Sequence, residues 1–411
     1  MPKHVAIFTD NNSRKTEFSR EILSGNAPDF LSYLNGLKGG YFSNIALSDF
    51  LEEEAKHLHS ELNVHPQRDL KTFSSGERKR TLLHYLMQQN PDYLILDDPF
   101  DNLDRAFQHE LKQEFLRIQQ STAIIQLVSR SEDHLPFITE AAFLEGEILI
   151  GYPDYSHKNS TLSINSEIRI PEAPNNLLDV PKILVDLRGI SLSYAEQPIL
   201  DKIVWRIEKG DFWELRGPNG SGKSTLITLI SGDNPKAFGM ELYLFGAKKG
   251  SGESVWDIKG LIGYFTPAMT DRFRGYHSIE NMLISGLNDS VGLYVQPGDG
   301  QRALALQWLK MLGMEHLKDQ LFCDLTAGQQ RLIFCARAMI KHPPLLILDE
   351  PTAGLDAAAA TQVVALINKM AQESDTALLF VSHRNEPGLH AKRIFELRPS
   401  PKGSTGHIRN N

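Results

Sequence analysis

Two runs of apolar residues stand out along the chain because each is unbroken and only four residues long. They cover residues 93–96 and 345–348, and a pair of acidic residues directly follows each run, at 97–98 and 349–350. Runs without alternating polar positions are typical of strands that are buried on both faces of a parallel sheet. Because α/β folds bind ligands at the carboxyl ends of such strands, the acidic residues are candidates for a functional site.

A helical pattern precedes each of these two runs. In the second copy the apolar positions 332, 335, 336 and 339 follow helical spacing, and the pair His342-Pro343 stops the helix. In the first copy Asn90-Pro91 stops the corresponding helix. The succession of helix, turn and buried strand is therefore predicted twice.

The two copies belong to an internal repeat, residues 72–104 and 325–356. Their short motifs correspond at a constant offset of about 252 positions, pairing Gly76 with Gly328, Asp97 with Asp349 and Asp104 with Asp356. We expect an α/β protein with two similar domains, covering 1–150 and 182–400. The segment 151–181 is rich in Pro, Asn and Ser and predicts a linker, and 401–411 predicts a loose tail.

Composition restricts the function classes. The 411 residues carry a formal net charge of −8 and their basic residues form no stripe, so no nucleic-acid partner is expected. The two cysteines are too few for a disulfide framework and indicate a reducing cytoplasm. No stretch reaches the roughly 18 apolar residues that span a bilayer. We expect a cytoplasmic protein that reaches the inner face of a membrane only through a partner.

The stretch Phe212–Gly232 contains G-x-x-x-x-G-K-S between a strand pattern and a helix pattern. In that context the motif is a strong signal for a phosphate-binding loop. The glycines at 217, 220 and 222 allow the backbone N–H groups to surround a phosphate, in angles that side chains disfavour. Lys223 brings a positive charge to the β and γ phosphates, and Ser224 offers a hydroxyl to Mg²⁺. The alternative, an ordinary glycine-rich turn, does not account for the lysine, the serine and the downstream Asp-Glu.

A damaged copy of this loop lies near the N-terminus, at residues 9–16. It keeps Asn11, Ser13, Lys15 and Thr16 in register, but Thr9, Asn12 and Arg14 replace the three glycines. Side chains at those positions obstruct the backbone cradle. We therefore expect a degenerate site, although the surviving Lys-Thr pair leaves nucleotide binding there as an alternative.

Several candidate residues also have purely structural interpretations. Tyr194 also has the pattern of a half-buried aromatic residue in a strand, and His383 that of a surface or capping histidine. Ser74 and Thr326 have the residue types of helix N-caps, which is compatible with a role at a phosphate. The histidines at 57 and 59 are two residues apart and do not share a helix face, and no Cys or paired carboxylate completes a metal site with them and His65. We interpret this stretch as a solvated helix face.

The motifs together resemble the ATP-binding-cassette (ABC) ATPases, in both halves. The specific element is the signature turn, "LTAGQ" at 325–329 and "FSSGE" at 73–77. Within that class, a tandem ATPase with "LFGAKKGSGESVWDIKGLIGYF" at 244–265 is similar to the ModF-like group named for molybdenum uptake. The resemblance implies tandem P-loop NTPase cassettes, of which the N-terminal one is truncated and degenerate. It begins almost at its phosphate loop, so the preceding strands and an adenine-stacking aromatic residue are expected to be absent.

The resemblance also implies a mechanism that uses residues of both cassettes. Each ATP is bound between the phosphate loop of one cassette and the signature turn of the other, with Mg²⁺ as cofactor. Carried over by position, Glu350 acts as base or orients water, and His383 contacts the γ-phosphate. Mg²⁺ is bound near Ser224 and Asp349. The residues expected to bind ATP are Tyr194, Gly217, Pro218, Asn219, Gly220, Ser221, Gly222, Lys223, Ser224, Thr225 and, from the other half, Ser74, Ser75 and Gly76.

The second site that the resemblance implies departs from the family pattern. It combines Lys15 and Thr16 with Asp97 and Asp98, lacks the glycines, and has Arg130 where the sequence match to His383 falls. We expect little or no hydrolysis there. In the better site, Thr266 replaces the glutamine that usually senses Mg²⁺ and faces a permease, which puts coupling to a permease in doubt.

Three functions remain open from the sequence. The leading one is the Mg²⁺-dependent ATPase subunit of an ABC transport system, with molybdate as the cargo that the family name suggests and an inner-membrane permease as partner. The second is a soluble ABC ATPase without a permease, in translation, repair or regulation. The third is an ATP-dependent clamp that does not hydrolyse. A homodimer through the C-terminal cassettes is an alternative to pairing within one chain.

Overall fold

The computed structural model describes residues 2–48, 75–101, 103–151, 164–165, 167–173, 180–273 and 275–411. The chain divides into two compact units. The first comprises Met1–Asn159 with Gly354–Ala357, and the second comprises Ser160–Ala353 with Ala358–Asn411. The histidines at 57, 59 and 65, which we interpret as solvated, and the predicted site residue Ser74 lie outside the described residues.

The first unit is built on one six-stranded sheet with the strand order β2-β3-β4-β1-β5-β6. All neighbours are parallel except β5 and β6, which form an antiparallel pair. The strands are β1 Val5–Thr9, β2 Gly39–Phe42, β3 Tyr93–Asp97, β4 Ala123–Val128, β5 Glu140–Glu145 and β6 Ile148–Gly151. The helices are α1 Lys15–Leu23, α2 Ser75–Gln88 and α3 Arg105–Ile118.

Burial in the first unit follows the sequence pattern. The strands β3 and β4 are almost wholly buried, as expected for unbroken apolar runs that are covered on both faces. Separate apolar clusters line the two faces of the sheet, one around Phe100 and Phe115 and the other around Phe18 and Ile22. The carboxyl ends of β1 and β3 are thereby fixed next to β4, where the candidate residues lie.

The second unit contains a sheet of the same design and an additional antiparallel sheet of four strands, in the order β11-β10-β7-β8. The strands are β7 Ile183–Tyr194, β8 Gln197–Glu208, β9 Phe212–Arg216, β10 Leu242–Leu244, β11 Ala247–Lys248, β12 Ile262–Phe265, β13 Leu345–Asp349, β14 Ala377–Val381, β15 Arg393–Arg398 and β16 Thr405–Asn410. The helices are α4 Lys223–Ile230, α5 Val255–Gly260, α6 Pro267–Arg272, α7 Ile279–Ser285, α8 Asp299–Met311, α9 Ala327–Met339 and α10 Ala357–Glu373.

The main sheet of the second unit has the order β12-β13-β14-β9-β15-β16, strand for strand the order of the first unit. The backbone repeats as well. Asn90 and His342, at equivalent positions before β3 and β13, both have left-handed φ angles, of 48° and 51°. Asp98 and Glu350, directly after the same strands, have φ angles of 40° and 49°. The internal repeat of the sequence is therefore a repeat of the fold.

Two boundaries differ from the prediction. Residues 401–411 are not a loose tail, because β16 pairs in antiparallel register with β15 at the edge of the main sheet. Part of the predicted linker is attached to the second unit: the Pro171 carbonyl lies 2.7 Å from His342 Nε2, and the Ile170 N–H donates to Glu373 at 2.8 Å. Backbone pairing holds the C-terminal segment, and the side chains of His342 and Glu373 hold the linker residues through their backbone groups. Composition reports neither kind of contact.

Candidate nucleotide site

The loop between β9 and α4 has the backbone that the glycine motif predicts. Gly220 and Gly222 have φ angles of 77° and 92°, in the left-handed region that residues with a side chain rarely adopt. Gly222 is the N-cap residue of α4, so Lys223 begins the helix. The loop therefore ends at a helix N-terminus, whose N–H groups and dipole favour an anion.

Glycine is required at position 217 for a different reason, because there is no room for a side chain there. A Cβ atom at this position would lie 2.5 Å from Ser221 Oγ and 3.0 Å from the carbonyl oxygen of Leu397. The Ser221 side chain is itself buried, and among the described residues its hydroxyl has no hydrogen-bond partner. A buried hydroxyl is costly to leave unpaired. An oxygen-rich ligand in the loop would give it a partner, which fits a phosphate.

Lys223 is folded back over its own loop. Its ammonium donates to the carbonyl oxygens of Gly217 at 2.7 Å and Pro218 at 3.1 Å. These contacts hold the charge at the loop, and a phosphate bound there would compete for the same N–H donors. Lys223 therefore lies at the loop in which the sequence motif predicts it.

The strand β13 ends at Asp349, two strands away from β9 in the main sheet, and Asp349 lies within electrostatic range of Lys223. Burial and the negative charge of Glu350 together raise the pKa of the Asp349 carboxyl to about 6, against the opposing charge of Lys223. No group of three or more metal-ligating side chains exists among the described residues. Because Mg²⁺ is usually bound by one or two carboxylates together with substrate phosphates, the half-buried Asp349 fits such an ion.

Glu350 is bonded to His383, which follows β14. One carboxylate oxygen of Glu350 accepts from the His383 backbone N–H at 3.1 Å and lies 3.0 Å from Nδ1 of the ring. The His383 side chain is only 7% exposed. Its Nε2 is buried and has no hydrogen-bond partner among the described residues. The pair thus presents one carboxylate oxygen and one ring nitrogen for further bonding.

Two other predicted site residues, Tyr194 and Thr266, lie at the ends of strands outside the phosphate loop. Tyr194 ends β7 with 43% of its surface exposed, its hydroxyl accepts from Asn234 at 2.9 Å, and the Lys236 ammonium lies 4.9 Å from its ring centre. Thr266 follows β12, beside the strand that ends at Asp349. The adenine-stacking role of Tyr194 stays a prediction.

The signature turn of the second unit is a helix N-cap. The Thr326 hydroxyl accepts from the Gln329 N–H at 3.3 Å, and the Gln329 side chain accepts from the Thr326 N–H at 2.9 Å. This reciprocal pair is a capping box. In the first unit, a Cβ atom at Gly76 would lie 2.7 Å from the ring of Phe107, so close helix packing requires glycine there.

The N-terminal loop uses its own polar groups internally. The Asn12 N–H donates to Asp10 at 2.9 Å, the Asp10 N–H to Ser13 at 3.0 Å and the Arg14 N–H to the Gly146 carbonyl at 2.8 Å. In a phosphate loop such N–H groups point at the ligand. Here these N–H groups already donate to other groups of the protein. This is a second obstacle to phosphate binding, in addition to the side chains that replace the glycines.

Lys15 is also bound within the first unit. Its ammonium forms an ion pair with Asp98, lies 3.4 Å from Asp97 and donates to Ser129 Oγ at 2.7 Å. Burial alone would lower the pKa of Lys15, but the charges of Asp98 and Asp97 raise it above its usual range. Burial raises the pKa of Asp97, whose other oxygen accepts from Tyr41 at 3.0 Å.

The structure corrects one correspondence between the two halves. The sequence match of "LVSR" with "FVSH" places Arg130 opposite His383. In the sheets, however, Asp97 pairs with Leu127 while Asp349 pairs with Val381, so the residue opposite His383 is Ser129. Its backbone N–H donates to Asp98 at 2.9 Å, as that of His383 does to Glu350. Sequence reasoning missed Ser129 because the match of "LVS" with "FVS" lies one residue out of register with the pairing of the strands.

No helix among the described residues is long and apolar enough to cross a membrane. A family model described as "ABC transporter" matches residues 200–353. This stretch contains the phosphate loop, the signature turn and the strand that ends at Asp349, while His383 and Tyr194 lie outside it.

Two relatives extend the similarity well beyond this stretch. The chain is 35% identical to the "ABC transporter ATP-binding protein ModF" of Escherichia coli over 333 residues, which cover 78% of this chain and 68% of the relative. It is 27% identical to an uncharacterised ABC transporter ATP-binding protein of Schizosaccharomyces pombe, over 84% of this chain and 72% of that one.

Among solved structures, the chain is similar to a chain in the complex of the archaeal ribosomal stalk protein aP1 with the archaeal ribosome recycling factor aABCE1. The TM-score is 0.59, and the match covers 98% of this chain and 85% of that chain. At 15% sequence identity this likeness concerns the fold alone.

Proposed function

The chain belongs to the family of ATP-binding-cassette ATPases, and on this premise we propose that it hydrolyses ATP at one site only, in its C-terminal cassette. The prediction of the α/β cassette fold, of ATPase activity and of ATP with Mg²⁺ as ligands is confirmed by the family. That only the C-terminal cassette hydrolyses ATP is our proposal. The observation that carries it is the contrast between Lys223, held at a glycine loop, and Lys15, paired with Asp98.

In the C-terminal cassette, the loop 217–225 would bind the phosphates, and Ser224 with Asp349 would hold Mg²⁺. The ion, when bound, neutralises charge on the phosphates. Glu350 is oriented by two hydrogen bonds from His383, which leaves its second oxygen to receive a proton from water or to orient that water.

His383 would act through its other ring nitrogen. With Nδ1–H bonded to Glu350, a protonated ring has Nε2–H as its remaining donor, and this donor suits a phosphate oxygen. The buried, unpaired state of Nε2 supports this role, because a ligand would supply the missing partner. Tyr194 is proposed to contact the adenine through the exposed part of its ring.

In the N-terminal cassette, we propose that no nucleotide binds. Displacing Lys15 would leave Asp97 and Asp98 partly buried without their counter-charge, next to the negative charge of a phosphate. The cassette would then contribute its signature turn, Ser74 to Gly76, to the C-terminal site. Because Ser74 lies outside the described residues, this contribution rests on the sequence resemblance.

For the partner, we propose a transport system first, with an inner-membrane permease and molybdate as the cargo. The support is the similarity to the Escherichia coli protein ModF, which is described as an ABC transporter ATP-binding protein. A soluble ATPase without a permease is the second candidate, and the observation that favours it is Thr266 at the end of β12 in place of the expected glutamine.

Two measurements test these proposals. Steady-state ATPase should fall by about 10² or more in Glu350→Gln, while Asp104→Asn, which alters a helix cap in the first unit, should retain turnover. Wild-type protein without turnover at saturating Mg-ATP would remove the enzymatic role. For the partner, a pull-down from solubilised membranes should recover an integral membrane protein, and recovery of ribosomes alone would contradict the transport proposal.

A further inference from the structure

Arg331 connects the signature helix to the segment that carries Glu350. It lies in α9, two residues after the signature turn, and is only 7% exposed. Its Nη1 donates to the carbonyl oxygens of Glu350 at 3.2 Å and Pro351 at 2.9 Å, and Nη2 donates to Ala353 at 3.1 Å. One guanidinium thus bonds to three carbonyl groups of the same turn.

The turn that Arg331 holds is conformationally unusual. Glu350 has a φ of 49°, which residues other than glycine seldom adopt. The Glu350 N–H donates to the Val381 carbonyl at 2.9 Å, so the residue is fixed from its N–H side by β14 and from its carbonyl side by Arg331. The guanidinium also lies 5.2 Å from the ring centre of Phe265, which restricts its own movement.

The first unit has a cation at the same place. Lys79 occupies the position of Arg331 in the repeat, and its ammonium donates to the carbonyl oxygens of Pro99 at 3.0 Å and Asp101 at 2.8 Å. Both residues follow Asp98, which has a φ of 40°. A lysine therefore makes the equivalent contacts to the equivalent turn, which predicts that lysine can replace Arg331.

We propose that Arg331 is a positioning residue for ATP hydrolysis, which holds Glu350 in the left-handed conformation that aims its carboxylate at His383. The inference rests on the proposed function, in which Glu350 activates or orients water in the C-terminal cassette. Without the guanidinium, the carbonyl groups of Pro351 and Ala353 lose this donor, that of Glu350 keeps the Ala353 N–H, and the turn can relax. The Glu350 carboxylate then moves relative to the phosphates, while the phosphate loop keeps its own contacts.

The test compares three variants of the full chain: Arg331→Met, Arg331→Lys and Arg337→Met. Arg337 is the matched control, because it is an equally buried arginine of the same helix but donates to Ser285 at 2.9 Å, away from the Glu350 turn. For each variant one measures kcat and KM for Mg-ATP, the Kd of a non-hydrolysable ATP analogue, and thermal unfolding.

We expect Arg331→Met to lower kcat by about 10- to 100-fold, as a small misplacement of a reacting group does, with the analogue Kd and KM unchanged within about threefold. Arg331→Lys should regain kcat to within about threefold of the wild type. Arg337→Met should unfold at a lower temperature, as Arg331→Met does, but keep its kcat.

Equal losses of kcat in Arg331→Met and Arg337→Met would overturn the inference and assign Arg331 a structural role. So would a normal kcat in Arg331→Met when Glu350→Gln is inactive. If Glu350→Gln itself keeps the wild-type kcat, the proposed function fails first, and that outcome is distinguishable from the other two.

Discussion

His383 Nδ1 lies 3.0 Å from a carboxylate oxygen of Glu350, and the same oxygen accepts from the His383 backbone N–H at 3.1 Å. The histidine therefore controls the orientation of the acidic residue, while its own Nε2 remains buried without a partner among the described residues. Such preorganisation of charged groups is the usual source of catalysis in phosphoryl transfer.

His383→Ala removes both the ring contact to Glu350 and the proposed phosphate donor. We expect kcat to fall by about 10²-fold, because loss of one preorganised donor typically costs that much. The Kd of a non-hydrolysable ATP analogue should change little, since the phosphate loop is untouched. Turnover and analogue binding, measured on the same preparation, check this, and a loss confined to binding would contradict the assignment.

Asp349 gives the nucleotide-free protein a specific pH dependence. Its pKa is raised from an ordinary value of 3.8 to about 6, so the folded state keeps a proton that the unfolded state has released. The contribution of the Asp349 carboxyl to the free energy of unfolding therefore falls as pH rises from about 4 to 6. The change is about 2 kcal/mol after allowance for partial solvent access.

Asp349→Asn should remove this dependence. We expect the stability of the variant relative to the wild type to increase by about 2 kcal/mol between pH 4 and pH 7. Denaturant unfolding of both proteins without nucleotide measures the difference, in which all other titrating groups cancel to first order. Parallel stability curves for the two proteins would show that Asp349 titrates normally.

How far the sequence predicts the site depends on what each signal measures. The apolar runs and the glycines of the loop predicted β3, β13 and the backbone at Gly220 and Gly222, because burial and left-handed φ angles select residue types directly. Family resemblance added the cassette class, which the comparisons confirm.

The remaining features depend on register and tertiary contacts, which residue types do not report. Ser129 was missed because the sequence match of "LVS" with "FVS" lies one residue out of register with the strand pairing. The strand β16 was missed because only Ile408 in it is strongly apolar, while its register with β15 comes from backbone bonds. Arg331 was missed because its partners are carbonyl groups, which are present at every position.

Lys15→Met should loosen the first unit locally. It leaves Asp97 and Asp98 partly buried without a counter-charge, for which we expect a cost of about 2 kcal/mol. Amide hydrogen exchange in β3 and β4 should accelerate by about 30-fold as a result. Lys3→Met is the control, since its pair with Glu140 is about half exposed and such pairs contribute little. Equal acceleration in both variants would contradict this account.

Ser74→Arg tests whether the N-terminal signature turn serves the C-terminal site. A bulky cation there should abolish turnover of the full chain, because the turn would no longer close on the bound phosphates. The Kd for a non-hydrolysable analogue should stay within about threefold. Unimpaired turnover, together with an inactive Thr326→Arg, would instead support pairing of two chains through their C-terminal cassettes.

The number of nucleotides bound per chain tests the central claim most directly. Isothermal titration of the full chain with a non-hydrolysable ATP analogue and Mg²⁺ should give one site per chain. Lys223→Ala should abolish that site, whereas Lys15→Ala should leave both stoichiometry and Kd unchanged. Two sites per chain in the wild type, reduced to one by Lys15→Ala, would contradict a single competent cassette.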